Sequence, residues 1–561
     1  MKYPDIFNPD LSRVGTKESQ MYNIIAGRLM AESVKTSLGP RGMEKVYIDI
    51  LGEATITKHG GAFLRKMDVD HPAAKAVTEA VNAVDTHVGD GTVTSAILIG
   101  AMLKCSQNLL ERGVPTAAII RGFELALDVS LEYLEEIKIR LDPTDKQVMK
   151  NLVCSCLEGK AVFDSMSDSD RVGKMIIDAV CCVADFGAQK VDIDDIKIEE
   201  KQGSSADIQL VMGTVIDKTI DSSEMPRRIK NAKILLINDA LETSRTKTES
   251  VIEVNTPDQM GQFLKQETSD VLSLVRKVVD SGANVVISRK GIGDIAQEHL
   301  ARCGIISIRR AKYNDLWWLE KSTGAKTCKD VESISATELG EALYVYERNV
   351  CGDRMLFVES QTPKSVTLLL RSVSKTHLDE FHRTAKNAMF VLRNFVEDSF
   401  IVFGGGSCEA ILAQKIRNYS DTISGREQLA VRGFADALEE IPMTLARNAG
   451  MSVLDALPFL RSKVVSAGKG KWYGVDSFSR SITDMSSSGI METAAVKEQV
   501  LKTAVEATNM ILNVDDVFMK DLIDNTHCHI DGTVHAHKDP GRNHNHWEQE
   551  GLEQRQMHHY Y

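Results

Sequence analysis

Gly89-Asp90-Gly91-Thr92 separates a helix-patterned stretch, Ala76 to Val84, from a long apolar-patterned segment, Val93 to Leu110. A glycine turn that presents free backbone N–H groups at a helix start is a physical site for phosphate, and an aspartate inside it needs a cation to share the space. On its own the tetrapeptide is also an ordinary turn. Two further segments repeat the arrangement. Thr36-Ser37-Leu38-Gly39-Pro40-Arg41-Gly42-Met43 interrupts a helical run, Ile24 to Lys35, with glycines around a proline, and Gly404-Gly405-Gly406 precedes a helical pattern from Glu409 to Arg417. Such loops expose amides and permit close approach of an anion. Three glycine-rich helix starts predict pieces that converge on one ligand.

Bulk properties narrow the class. At 561 residues the chain exceeds one core and predicts three or four domains. A net charge of −12 argues against a general nucleic-acid binder. No apolar run is read as reaching the roughly 20 residues needed to cross a bilayer, and Met1-Lys2-Tyr3-Pro4-Asp5 does not open a signal peptide, so no membrane partner and a cytoplasmic location are expected. The 10 cysteines are too sparse for a disulfide scaffold, and Cys154, Cys156, Cys181 and Cys182 read as buried reduced thiols.

Periodicity divides the chain. Helical spacing dominates to about residue 140, as in Ile97, Met102, Leu103 and Leu109-Leu110 before Gly113, and Pro143 is read as starting a new helix. From about 232 to 310 short apolar strands (Ile234 to Ile237, Val285 to Ile287, Ile305 to Ile308) alternate with helices near 269–280 and 292–302, which predicts an α/β layer with partly parallel strands. After about 405 the helical texture returns. That order fits one domain interrupted by an insertion.

The segments LGPRG (38–42) and VGDGT (88–92), Asp70-His71-Pro72-Ala73-Ala74-Lys75 between them, Asn231-Ala232-Lys233-Ile234, Ser281-Gly282-Ala283-Asn284-Val285-Val286, the triple glycine and Ile511-Leu512-Asn513-Val514-Asp515-Asp516-Val517 resemble a group II chaperonin subunit of the thermosome type. The likeness runs from about residue 10 to 520. It implies an α+β multidomain fold: a mostly helical equatorial ATP-binding domain (1–144 and 406–525), a small intermediate domain (145–214 and 367–405), and an α/β apical domain with a lid protrusion (215–366), followed by a His-rich tail (526–561). It also implies ATP and Mg²⁺, non-native protein clients, and a double ring of identical or paralogous subunits.

Residue by residue, the resemblance places Leu38, Gly39 and Pro40 along the purine and phosphates, Asp90 on Mg²⁺, and Gly91, Thr92 and Thr94 on phosphate oxygens. Gly405 matches the close-approach glycine, Glu492 the acidic position near the ribose, and Lys160 a sensor of the terminal phosphate. In the insertion, Thr256-Pro257-Asp258-Gln259 reads as a capped helix start, and Met260, Phe263 and Leu264 share one face. Such a stripe is ordinarily core, whereas the family's lid protrusion would turn it toward neighbours or clients.

Two positions depart from the family. Where members read Thr-Asn-Asp-Gly this chain reads Thr57-Lys58-His59-Gly60, and where they carry His-Asp-Ala-Leu it reads Lys386-Asn387-Ala388-Met389. The family uses those two aspartates to orient and activate the attacking water. Asn387 cannot take a proton; His59 can near neutral pH, with a different reach. Losing general-base assistance typically costs about 10² to 10⁴ in rate. Val93 in place of a second threonine removes a hydroxyl worth about 0.5–1.5 kcal/mol. Three functions stay open: an ATP-driven folding machine, a hydrolysis-impaired ATP-binding structural subunit of a mixed ring, and a passive holdase.

The last 35 residues hold eight of the 14 histidines (His527, His529, His535, His537, His544, His546, His558 and His559) and Cys528. The donors suit Zn²⁺, Cu²⁺ or Ni²⁺, but the spacing matches no closed site, and a flexible polar tail is expected.

Overall fold

The computed structural model describes residues 11–14, 16–158, 166–204, 207–242, 257–331, 334, 336–466, 470–520, 526–528 and 534–536. It divides into two units, Asn23–Asn513 and Met1–Tyr22 with Val514–Tyr561.

In the larger unit, helices from both ends of the chain pack together. Pro72–Val88 begins with proline at a first-turn position, where no donor is lost, and with His71 accepting the Ala73 N–H. Val77, Val81, Val84 and Val88 recur at helical spacing and are buried. The helix stops at Gly89, whose φ of 71° lies in the left-handed region that favours glycine. Thr92–Glu111 follows and packs on Glu427–Asn448 and Ala494–Leu512. By length and composition it could cross a membrane, contrary to the reading of the apolar runs. Its Ile97, Leu98, Ile99, Met102 and Leu103 are buried within the protein, so the apolar character is that of a central core helix. Thr116–Ile137 joins the same layer, with Phe123 against Phe434 at 6.2 Å between ring centroids.

The inserted segment forms a six-stranded sheet in the order Ile306–Ile308, Val285–Ser288, Arg228–Ile237, Gly340–Val350, Asp353–Glu359, Gly213–Ile216. The first three strands are parallel and the rest antiparallel, with Leu235 opposite Val286 and Val286 opposite Ser307. Helices Pro257–Asp280 and Asp294–Arg302 supply the crossovers, as the alternating texture predicts. Val271, Val275 and Val278 of the longer helix reach the sheet's core. Its first turns do not: Met260, Phe263 and Leu264 are 54, 46 and 56 % exposed, so the ordinary core reading of that stripe fails. Pro257 is the first helical residue, and Thr256 lies outside the described residues.

Between these regions, Ile196–Gln202 pairs in parallel with Val366–Ser372, flanked by helices Met166–Val183 and Lys375–Asp398. The helix after Pro143 starts at Lys146, because Asp145 accepts the Gln147 N–H as its cap while Pro143 stays in the preceding turn. Cys154, Cys156, Cys181 and Cys182 are free thiols but only half-buried, since each sits at the margin of a helix face rather than on its apolar stripe. Burial still pushes the Cys154, Cys181 and Cys182 thiols up.

In the smaller unit, Leu11–Val14 pairs antiparallel with Val517–Lys520. Thr526–Cys528 pairs antiparallel with Val534–Ala536. His529, His537, His544, His546, His558 and His559 lie outside the described residues.

Phe434→Ala should cost about 3–5 kcal/mol by emptying a fully buried site. Leu429→Ala on the same helix, at a 41 % exposed position, should change stability by less than about 0.5 kcal/mol. Denaturant midpoints check the pair, and equal shifts would contradict this packing.

Candidate nucleotide-binding cleft

Two helix starts meet at one cleft without side-chain caps. Gly91 caps Thr92–Glu111 at φ 80° and Gly406 caps Ser407–Ser420 at φ 73°, and neither end receives a side-chain hydrogen bond. The first N–H groups of a helix need acceptors, and the positive end of its dipole favours an anion. The third loop enters through Gly39, at φ 81°. A Cβ at Gly39 would lie 2.5 Å from Leu445 Cδ2, and one at Gly405 2.7 Å from Met485 Sδ. The backbone therefore passes where no side chain fits.

A three-stranded sheet fastens these loops. Phe400–Phe403 pairs with Met491–Thr493 on one edge and Ile139–Arg140 on the other, placing Phe403 opposite Met491 and bringing the triple glycine beside Glu492. Leu38, Gly39, Pro40, Asp90, Gly91, Thr92, Thr94, Gly405 and Glu492 all line the one cleft, together with His59, Val93 and Asn387. Lys160 lies outside the described residues. Leu38, Leu445 and Val475 form an apolar wall beside this polar floor.

Glu492 is not a lone carboxylate. Lys497 Nζ sits 2.5 Å from its Oε2 and 2.6 Å from Glu409 Oε1. Burial, with Glu409 alongside, pushes the Glu492 carboxyl up despite that ion pair. Burial opposes the Lys497 charge too, yet the two carboxylates outweigh it and keep the ammonium protonated. Sequence reading missed Lys497 and Glu409, because 88 residues separate them.

His59 is committed. It caps the helix Gly60–Lys66, its Nδ1 accepting the Ala62 N–H at 3.2 Å. An accepting Nδ1 assigns the imidazole proton to Nε2, which lies 3.3 Å from Asp85 Oδ1. One ring nitrogen serves the cap and the other faces a carboxylate. Burial alone would raise the Asp85 carboxyl, but His59 and Arg65, the latter 2.6 Å from Oδ2, hold it below the usual range. Asn387 is buried on Lys375–Asp398 and faces the cleft, where its amide can orient a water but not deprotonate one. Val93 lies against Gly60, where a Cβ would come within 2.7 Å of its Cγ2.

Lys58 also lines the cleft. Its Nζ donates to the Pro40 carbonyl at 3.1 Å, and its N–H and the Thr57 hydroxyl both go to Glu380, at 3.2 and 2.7 Å. No cluster of three or more His, Cys, Asp or Glu suited to a metal occurs among the described residues. The uncapped helix starts and the glycine cradle fit a nucleoside polyphosphate.

The sequence profile of the TCP-1/cpn60 chaperonins matches residues 30–521. The chain belongs to the TCP-1/cpn60 chaperonin family. It is 39 % identical over 510 residues to a thermosome subunit of Methanothermococcus thermolithotrophicus, covering 91 % of this chain and 93 % of that one. A thermosome subunit of Pyrococcus horikoshii is 40 % identical over 507 residues, 89 % of this chain and 91 % of that one. Thermosome subunit alpha of Archaeoglobus fulgidus is 40 % identical over 516 residues, 91 % and 94 % of the two chains. The helical layer, the inserted sheet and the strands between them make up its α+β chaperonin fold.

Because the Asp85 carboxyl is held below 3.8, its ion pairing stabilises the folded chaperonin chain above that pH and is lost as pH falls through the folded value. Asp85→Asn should therefore melt at a lower temperature than the parent at pH 6, with the deficit closing below pH 3.8. A deficit that persisted unchanged to pH 3 would contradict this assignment.

Proposed function

We propose that this chain is an ATP-binding chaperonin subunit that holds Mg²⁺·ATP in the cleft and cleaves it slowly, working in a ring with identical or paralogous subunits. The observation that carries the reading is the double commitment of His59. A general base needs a lone pair within reach of the water it deprotonates, and the Nδ1 lone pair of His59 is occupied by the Ala62 N–H. Asn387 has no basic form to offer. The cleft, meanwhile, keeps parts suited to phosphate: two uncapped helix starts, the glycine cradle and Asp90, with Val93 the one hydroxyl lost.

Bound Mg²⁺ would neutralise phosphate charge beside Asp90. Thr92 and Thr94 with the first N–H groups of their helix would hold phosphate oxygens, Leu38, Leu445 and Val475 would exclude water from the base, and Glu492, positioned by Lys497, would accept from the sugar. Lys160 retains its reading as a sensor of the terminal phosphate. In this arrangement 1–144 with 406–525 act as the nucleotide-binding domain, 145–214 with 367–405 as the connecting domain, and 215–366 as the client-facing domain.

Exposed apolar surface supports a partner on two faces. Met260, Phe263 and Leu264 form an uncovered stripe suited to clients or to a lid contact, and Val46, Ile48, Ile50 and Leu51 stand exposed on the Lys45–Ile48 and Ala54–Thr57 hairpin. Relatives named thermosome subunit alpha and subunit beta support a ring of more than one chain type. A passive holdase would have no use for an intact phosphate cradle, which favours the nucleotide-responsive reading.

Steady-state turnover of the purified chain should be low, and His59→Asp with Asn387→Asp should raise it by about 10² to 10⁴, since aspartate also caps a helix and leaves a carboxylate free to act as base. Rapid turnover by the parent chain, or no gain in the double variant, would overturn the proposal.

A further inference from the structure

The loop of Leu38, Gly39 and Pro40 is gripped from behind by the end of a distant helix. Asn448, the last residue of Glu427–Asn448, donates through Nδ2 to the Leu38 carbonyl at 2.9 Å and to the Lys35 carbonyl at 3.2 Å. Both partners are acceptors only, which assigns the amide nitrogen to that side and the amide oxygen to the other. Further up the same helix, Glu440 pairs with the Lys35 ammonium, and Leu445 fills the space where a Cβ on Gly39 would lie. These contacts fix the direction of one peptide. No cis peptide bond occurs among the described residues, and in a trans peptide the N–H points away from the carbonyl. Leu38 and Gly39 line the cleft, whereas Asn448 stands outside its lining. With the Leu38 carbonyl turned back to Asn448, the Gly39 N–H faces the cleft. Among the described residues that N–H has no acceptor, and Pro40, the next residue, has no N–H to offer in its place.

We infer that Asn448 is a positioning residue of this cleft: by holding the Leu38 carbonyl behind the loop, it presents the Gly39 N–H as a donor to a phosphate oxygen of a bound nucleoside polyphosphate. The inference rests on the reading of the cleft as a nucleotide site and deepens it. Asn448 itself touches no ligand. Glycine permits either orientation of the peptide that precedes it, so without Asn448 that unit is free to turn over and aim its carbonyl at the phosphates. An N–H facing phosphate makes a charge-assisted hydrogen bond, whereas a carbonyl in the same place repels the anion. Orienting the peptide before the ligand arrives removes an ordering cost from binding. The chemistry also selects asparagine over aspartate, since a carboxylate would face two carbonyls with nothing to donate.

Equilibrium binding of ATP and ADP with Mg²⁺ to the full chain, combined with amide hydrogen exchange across residues 36–43, tests this. Asn448→Leu, close in shape and without donors, should raise Kd for both nucleotides by about 10- to 100-fold. Saturating ADP and Mg²⁺ should slow exchange of the Gly39 amide in the parent and leave it fast in the variant. Glu440→Gln, which weakens the contact between the same two helices without touching the Leu38 carbonyl, should lower the melting temperature while keeping Kd near that of the parent. Melting temperatures without nucleotide establish that each variant folds, and if Asn448→Leu does not, Asn448→Ala decides by the same criterion. A folded Asn448→Leu or Asn448→Ala that binds like the parent, or whose Gly39 amide is still protected by nucleotide, overturns the inference, as does an equal loss of affinity in Glu440→Gln. A parent chain that binds neither nucleotide overturns the nucleotide reading of the cleft itself, and the two failures are distinct.

Discussion

Backbone brought so close to neighbouring side chains that only glycine fits is the constraint on which the cleft depends. A Cβ at Gly89 would lie 2.4 Å from Phe390 Cβ, one at Gly39 2.5 Å from Leu445, and one at Gly406 2.8 Å from Pro442 Cβ. Each glycine also has φ between 71° and 81°, where an L side chain costs roughly 1–2 kcal/mol before any clash. These contacts come from Lys375–Asp398 and Glu427–Asn448, far in sequence from Gly39 and Gly89. The cradle therefore exists only when those two helices are packed against the loops that follow Thr16–Lys35 and Pro72–Val88. Folding of the helical layer and formation of the glycine cradle are one event.

Given that cradle, binding and cleavage are separable. In the proposed reading, backbone N–H groups and Asp90 would hold phosphates whatever occupies residues 59 and 387. Cleavage needs a group with a spare lone pair at the right place, and here the two candidates are an amide and an imidazole already serving as a cap. His59 shows why a substitution cannot be judged from titration range alone. Imidazole can accept a proton near neutral pH, but in this fold its accepting nitrogen stabilises a helix start while its other nitrogen faces Asp85. The structural role removes the chemical one.

Much of this was legible in the chain itself. The valines at 77, 81, 84 and 88 and the stop at Gly89 follow from periodicity and glycine chemistry, and the alternation of strands and helices between 232 and 310 reads directly as parallel pairing. What periodicity could not supply is long-range approach. Nothing local ties Lys58 to Glu380, 322 residues away, or Lys497 to Glu409, so the residues that aim the cleft's charges stayed hidden. The exposed stripe at Met260, Phe263 and Leu264 was ambiguous for a related reason: an apolar face looks the same in sequence whether its partner is the same chain or another. The hydropathy of Thr92–Glu111 misleads in the same way, since a core helix and a membrane helix differ only in what surrounds them.

The central claim is that this chain retains nucleotide and cleaves it only slowly. The direct measurement is the chemical identity of the nucleotide that stays bound after the purified chain is incubated with ATP and Mg²⁺ for several minutes and separated from free ligand. Intact ATP in the bound fraction is the predicted result. Bound ADP with an equivalent of released phosphate would contradict it.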